Sequence, residues 1–297
     1  MDRQIFFDTI RKSVFGGRLT TAQVAGMETM LDTWGDLYPS ARAEWIANSL
    51  AQVKRETGSL MVPIKETVMA SHRDRNPSDR TVIQRLDRAF AKGQLPWVEE
   101  IYWREGWFGR GLIQITHERN YSILGNRLGR DLVGDPSLAL EPRISAEIAI
   151  VGMVEGHFTG RSLADVAWDE PDPVKRKRGV MRARRIVNGP DGSDAEVYAD
   201  HMAFLAALEA AGYAPRVEVP PRRPAPEPEY VAERELPIGG VVATETSRPA
   251  MLSESDYLIS HAEAARLTAT AKPSAPASGG WLAALLGAIA RIFSRRA

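Results

Sequence analysis

Tyr102-Trp103-Arg104-Glu105-Gly106-Trp107-Phe108-Gly109-Arg110-Gly111-Leu112-Ile113-Gln114-Ile115-Thr116 sets three glycines among four aromatic residues. No helical stripe runs through it, and glycine opens backbone shapes closed to other residues. The stretch reads as a functional loop where a ligand approaches the backbone closely, with Gln114 and Thr116 as hydrogen-bonding groups at its far end.

Around this loop the spacing is helical. Ile5, Phe6, Ile10 and Val14 recur at helical intervals until Gly16-Gly17. Thr20-Thr21-Ala22-Gln23 reads as an N-cap for a helix carrying Val24, Met27 and Leu31. Trp45, Ile46, Leu50 and Val53 mark a third helix, with Glu56 just past its last apolar position and Gly58 as its stop. Two more lie over 140–160 (Ile144, Ile148, Val151, Val154) and 195–212 (Tyr198, Met202, Leu205, Leu208). Strand signals are thin. The expectation is an all-α domain over residues 1–212, with long loops around 62–82 and 94–112.

Prolines at 215, 220, 221, 224, 226 and 228 then change the composition, and residues 213–280 read as a Pro-rich, mostly disordered linker. Residues 281–297 place Leu282, Leu285, Leu286, Ile289, Ile292 and Phe293 on one helical face, followed by Arg295-Arg296. The apolar stretch is well short of the roughly 20 residues of a spanning helix. Contact with an anionic membrane surface is the expected role of this amphipathic helix, and docking on protein is the alternative.

The 297 residues carry 38 basic and 38 acidic side chains, so no global field draws the chain to nucleic acid, and no nucleic-acid partner is expected. Absence of cysteine excludes disulfides and thiolate metal sites. The five histidines are scattered, so neither a metal nor a cofactor is expected. The N-terminus has no apolar run of signal-peptide length. The expectation is synthesis in the cytoplasm without a signal peptide.

Two glutamates precede the glycine loop. Glu56 sits at a helix C-terminus, where the macrodipole disfavours a carboxylate and raises its pKa, while Lys54 and Arg55 oppose that if they approach it. Glu66 follows Pro63 in a loop. Each alone is ordinary. Facing one groove, they would supply the acid and the base of glycosidic-bond hydrolysis, which in an inverting enzyme stand roughly 6.5–9.5 Å apart. Tyr102, Trp103, Trp107 and Phe108 offer sugar-stacking faces or simply core.

Glu56-Thr57-Gly58, Glu66, Trp107 to Thr116, Asn120-Tyr121 and Arg184-Arg185-Ile186-Val187-Asn188-Gly189 together resemble glycoside hydrolase family 19, the chitinases and chitinase-like phage endolysins. The likeness runs over about residues 40–210. It implies a lysozyme-like helical fold, Glu56 as general acid, Glu66 as base and Thr116 as a holder of the attacking water. It also implies Gln114, Asn120 and Asn188 as sugar-binding residues, and the neighbouring Tyr102 and Tyr121 are expected to bind sugar with them. Arg55 stands where family members often carry His, and Ser59 where many carry Gly. The activity expected is cleavage of β-1,4 bonds in peptidoglycan for cell-wall lysis. A chitinase and a non-catalytic glycan-binding module are the alternatives.

Overall fold

The computed structural model describes residues 1–96 and 98–215, so the linker and the C-terminal helix expected from sequence lie outside the described residues. What is described is helical, as the apolar spacing predicts.

Helix α1 (Arg3–Ser13) starts where Asp2 Oδ1 accepts the Ile5 N–H at 3.0 Å. The Asp2 N–H donates to Ala211 O at 2.8 Å, tying the chain start to the far end of the domain. α2 (Thr21–Leu37) carries the expected cap in full: Thr20 and Gln23 form a reciprocal capping box. Gln23 Nε2 also donates to Ser59 O at 2.8 Å, linking that cap to the loop after α3 (Ala43–Glu56). Ile46, Leu50 and Val53 of α3 are buried, each contributing about 1.5–3 kcal/mol.

α3 packs along α8 (Asp194–Ala210), and α2 packs against α6 (Pro142–Glu155). On α8 the buried face is Val197, His201, Phe204, Ala207 and Leu208, while Met202 is exposed. The expected stripe is therefore displaced: α8 carries apolar residues on more than one side, and contact with α3 and α1 chooses the buried one. α1 differs likewise, burying Phe6, Phe7 and Ile10 and exposing Ile5.

Three helices go beyond the sequence reading: α4 (Asp79–Ala91), α5 (Glu118–Leu128) and α7 (Pro173–Met181). α4 had a signal, since Ser78 caps Thr81 N–H and Val82, Leu86 and Ala89 share a stripe. α7 had almost none, because Val180 is its sole buried residue.

The two expected loops meet in a short antiparallel pair, β1 (Ile64–Lys65) with β2 (Arg110–Gly111). Two-residue strands are too short to show alternation, so sequence alone reads them as loop. Lys65 and Arg110 are register partners, and both reach Asp79 at the start of α4, at 2.7 and 3.0 Å. Burial pushes the Asp79 carboxyl up, but these two cations outweigh it and hold it below its usual range. Val82, Leu86, Leu95, Trp103 and Phe108 belong to a second core cluster, to which α4 contributes its buried stripe.

Candidate active site

Glu56 is the last residue of α3 and only 2% exposed. The flanking cations do not hold it. Lys54 pairs with Asp200 at 2.7 Å and Arg55 with Glu196 at 3.2 Å, both on α8. Its counter-ion is Arg184, from a 3-10 turn over Arg182–Ile186, whose Nη2 lies 2.6 Å from Glu56 Oε1. Neither Glu56 oxygen accepts a well-directed hydrogen bond, so the contact is an ion pair.

Arg184 is itself braced on several sides. Nη1 donates to Gln52 Oε1 at 2.9 Å, Nε to Ser193 Oγ at 3.0 Å, and Nη2 to Asp191 Oδ2 at 2.9 Å. Asn188 Nδ2 reaches the same Asp191 oxygen at 3.3 Å. Burial pushes Glu56 upward and prevails over the opposing charge of Arg184. For Asp191 the balance reverses, because Arg184 and Ser193 outweigh burial and lower it. One guanidinium thus serves two carboxylates of opposite tendency.

Glu66, 1% exposed, follows β1 directly. Its N–H donates to Gly109 O at 2.7 Å, and Gly109 N–H returns a bond to Glu66 Oε2 at 2.8 Å. Tyr102 donates its hydroxyl to Oε1 at 2.9 Å. A Cβ on residue 109 would meet Gln114 Oε1 at 3.1 Å and Glu66 Oε2 at 3.4 Å, which explains glycine there. Burial raises the Glu66 pKa most, while Gly109, Tyr102 and Arg110 pull against it. Burial, not mutual repulsion, is the leading cause for both glutamates.

Arg110 clamps the glycine loop. Its guanidinium donates to Gly106 O at 2.7 Å and to the Tyr121 hydroxyl at 3.1 Å, and lies 3.7 Å from the Phe108 ring centroid. Backbone strain gathers nearby, with positive φ at Thr67 (70°), Gln114 (56°) and His117 (62°). Thr67, a β-branched residue, also buries its hydroxyl without a partner.

Several expected sugar-binding residues are placed differently. Trp103 and Phe108 belong to the second core cluster, and Trp103 Nε1 donates to Asp87 at 2.9 Å, so they are not open stacking faces. Tyr102 gives its hydroxyl to Glu66, and Tyr121 gives its own to Phe108 O at 3.0 Å. Gln114 donates to Ile64 O at 2.9 Å and Gly111 O at 2.6 Å, leaving a buried, unpartnered Oε1. Asn188 is buried beside Asp191. Asn120 is half-buried and donates to Thr116 O at 2.7 Å, and Thr116 itself is buried. Of these side chains Tyr102 bonds Glu66, while Gln114, Tyr121 and Asn120 bond backbone carbonyls and Asn188 bonds Asp191. The reading missed Arg184, Asp191, Gln52 and Arg110. Arg184 stood inside a quoted motif, yet nothing local to it reveals a partner so distant along the chain.

Residues 79–184 match the family model for glycoside hydrolase family 19, described as chitinase class I. The match takes in the glycine loop and Arg184 but not Glu56, Glu66 or Asn188, and is narrower than the resemblance read over 40–210. Chitinase 11 of Oryza sativa subsp. japonica is 33% identical over 90 residues, 28% of this chain and 35% of the relative. The acidic 27 kDa endochitinase of Solanum lycopersicum is 32% identical over 91 residues, 28% of this chain and 37% of the relative. The chain thus spans little more than a third of these curated relatives. The crystal structure of chitinase C from Streptomyces griseus HUT6037 aligns with a TM-score of 0.41 and 18% identity, covering 72% of this chain and 77% of that one.

Proposed function

We propose that this chain is a glycoside hydrolase of the family 19 type that cuts β-1,4 bonds in the glycan backbone of peptidoglycan, in an endolysin role. The observation that carries the reading is a pair of buried carboxylates with unlike supports. Glu66 faces two directed donors, Gly109 N–H and Tyr102 OH, which favour the anion and suit a base. Burial raises the pKa of both glutamates, and what sets Glu56 apart is that neither of its oxygens accepts a well-directed hydrogen bond, which suits an acid that gives its proton to the leaving oxygen.

In the inverting sequence, Glu56 protonates the glycosidic oxygen while Glu66 takes a proton from water attacking the opposite face of the sugar. Arg184 stabilises the Glu56 carboxylate once its proton has left. Thr116 belongs to this proposal as the water's second holder, and Tyr102, Gln114, Asn120, Tyr121 and Asn188 as the wall of the site. Both glutamates are closed to solvent here, so sugar entry requires displacement of the side chains that cover them. Residues 1–212 would form the catalytic domain, residues 213–280 a tether, and residues 281–297 an interfacial helix that brings the enzyme to membrane beside the wall.

Two other readings have support. The curated relatives are named chitinases, which favours chitin. Arg55, where family members often carry His, leaves room for a non-catalytic glycan binder.

Mass spectrometry of new reducing ends, on purified peptidoglycan and on chitin, separates the three. Wild type should release reducing amino-sugar ends from peptidoglycan, and Glu56→Gln should be slower by about 10²–10⁴-fold. Ends from chitin alone would assign a chitinase. Binding without new ends from either polymer would assign the binder.

A further inference from the structure

α7 runs Pro173-Val174-Lys175-Arg176-Lys177-Arg178-Gly179-Val180-Met181, and no Asp or Glu occurs anywhere from 173 to 190. Lys175, Arg176, Lys177, Arg178 and Arg182 are exposed, in a chain whose formal net charge is zero. Some cations elsewhere are paired, as Arg42 is with Glu44 and Asp169 and Arg143 with Asp36 and Glu147, while Arg18 and Lys92, exposed and without an ion pair among the described residues, stand apart from one another along the chain. Among the described residues Lys175, Arg178 and Arg182 have no ion pair. They stand at i, i+3 and i+7, the spacing of one helical face, where like charges repel and weaken the helix. Packing does not explain them either, since only Val180 of this helix is buried.

Val174, at the start of the helix, is 65% exposed and is the most exposed of the large apolar side chains among the described residues. Apolar atoms gain nothing from a phosphate polymer in water, but they gain from the headgroup boundary of a bilayer. α7 also offers no aromatic side chain on which a nucleic-acid base would stack. Among the described residues no helix is long and apolar enough to cross a membrane, so any contact there is peripheral.

We infer that the exposed face of α7 and Arg182 is a docking surface for an anionic phospholipid bilayer, with Lys175, Arg178 and Arg182 on lipid phosphates and Val174 at the headgroup boundary. This surface lies within the described domain and is separate from the amphipathic stretch at 281–297. It does not rest on the glycosidase reading.

The chain has no cysteine, so Val174→Cys gives a single labelling site for an environment-sensitive dye in the full-length protein. Vesicles of phosphatidylglycerol and phosphatidylcholine should shift the label to the blue, and high salt should reverse the shift. Vesicles of phosphatidylcholine alone should leave it unmoved. Each Lys or Arg at an anionic surface is worth about fivefold in partitioning, so Lys175→Glu with Arg178→Glu and Arg182→Glu should weaken the response more than tenfold. The label, not total binding, decides, because residues 281–297 are themselves proposed above to contact membrane. It also decides if the triple variant fails to fold. A label silent on anionic vesicles, or one that responds only to DNA or to a soluble phosphate polymer, overturns the inference.

Discussion

Arg184 Nη2 lies 2.6 Å from Glu56 Oε1, with both side chains buried and residues from two distant parts of the chain joined in one ion pair. Breaking a buried pair by removing one partner costs more than the pair contributes, because the other charge stays uncompensated. Arg184→Met should therefore destabilise the domain by about 3–5 kcal/mol in urea denaturation. It also releases Asp191 and raises Glu56 further, so the defect should be smaller at acidic pH, where both carboxylates are protonated. Equal losses at acidic and neutral pH would show that the charges are not what Arg184 compensates.

Tyr102→Phe removes one of the two directed donors that favour the Glu66 anion. The Glu66 pKa should rise, and a base is active only when deprotonated. The acidic limb of the kcat/KM profile should then move to higher pH while the alkaline limb stays. The stability cost should be about 1–3 kcal/mol. An acidic limb that does not move would separate Glu66 from the base role.

Gly26 is the point where α2 meets the loop before β1. A Cβ there would sit 1.7 Å from Met61 O, a backbone atom that cannot rotate away. Gly26→Ala gains helix propensity but must push the 59–66 segment aside, and Glu66 with it. The expected result is a loss of about 1–3 kcal/mol together with reduced activity. A stability gain would mean that this contact yields without cost.

His201 on α8 is buried against Trp168, and burial lowers its pKa from 6.5 to about 4. Between those values the unfolded chain binds a proton that the folded chain refuses. Stability is therefore full above the unfolded value and falls with pH, by about 3 kcal/mol across the window. The Arg127 and His157 contacts of Glu155, which outweigh burial and hold it to about 2, act mostly at lower pH, from its ordinary 4.5 downward. Denaturation midpoints of His201→Gln should fall less steeply than wild type from pH 6.5 to 4, and parallel slopes would refute the assignment.

Legibility followed locality. The capping box at Thr20 and Gln23 was readable because its donors and acceptors lie within one turn. α4 was readable in principle from Ser78 and its apolar stripe, whereas α7 hid behind a row of cations. The site divided the same way. Glu56 and Glu66 stand out in the sequence as acids near a glycine loop, whereas the bonds of Tyr121 to Phe108 O and of Gln114 to Ile64 O join positions too far apart along the chain to be read from it.

By itself, the sequence determined the helical class, the main apolar helices and the two carboxylates, because 3.6-residue periodicity, caps and glycine breaks act over a few residues. Only the tertiary structure decided which side of α8 is buried, that Lys65 and Arg110 share Asp79, and that Arg184 rather than Lys54 or Arg55 faces Glu56. Those outcomes depend on which surfaces meet when helices pack. Burial then sets the charge state of each carboxylate, and a linear pattern does not carry that information.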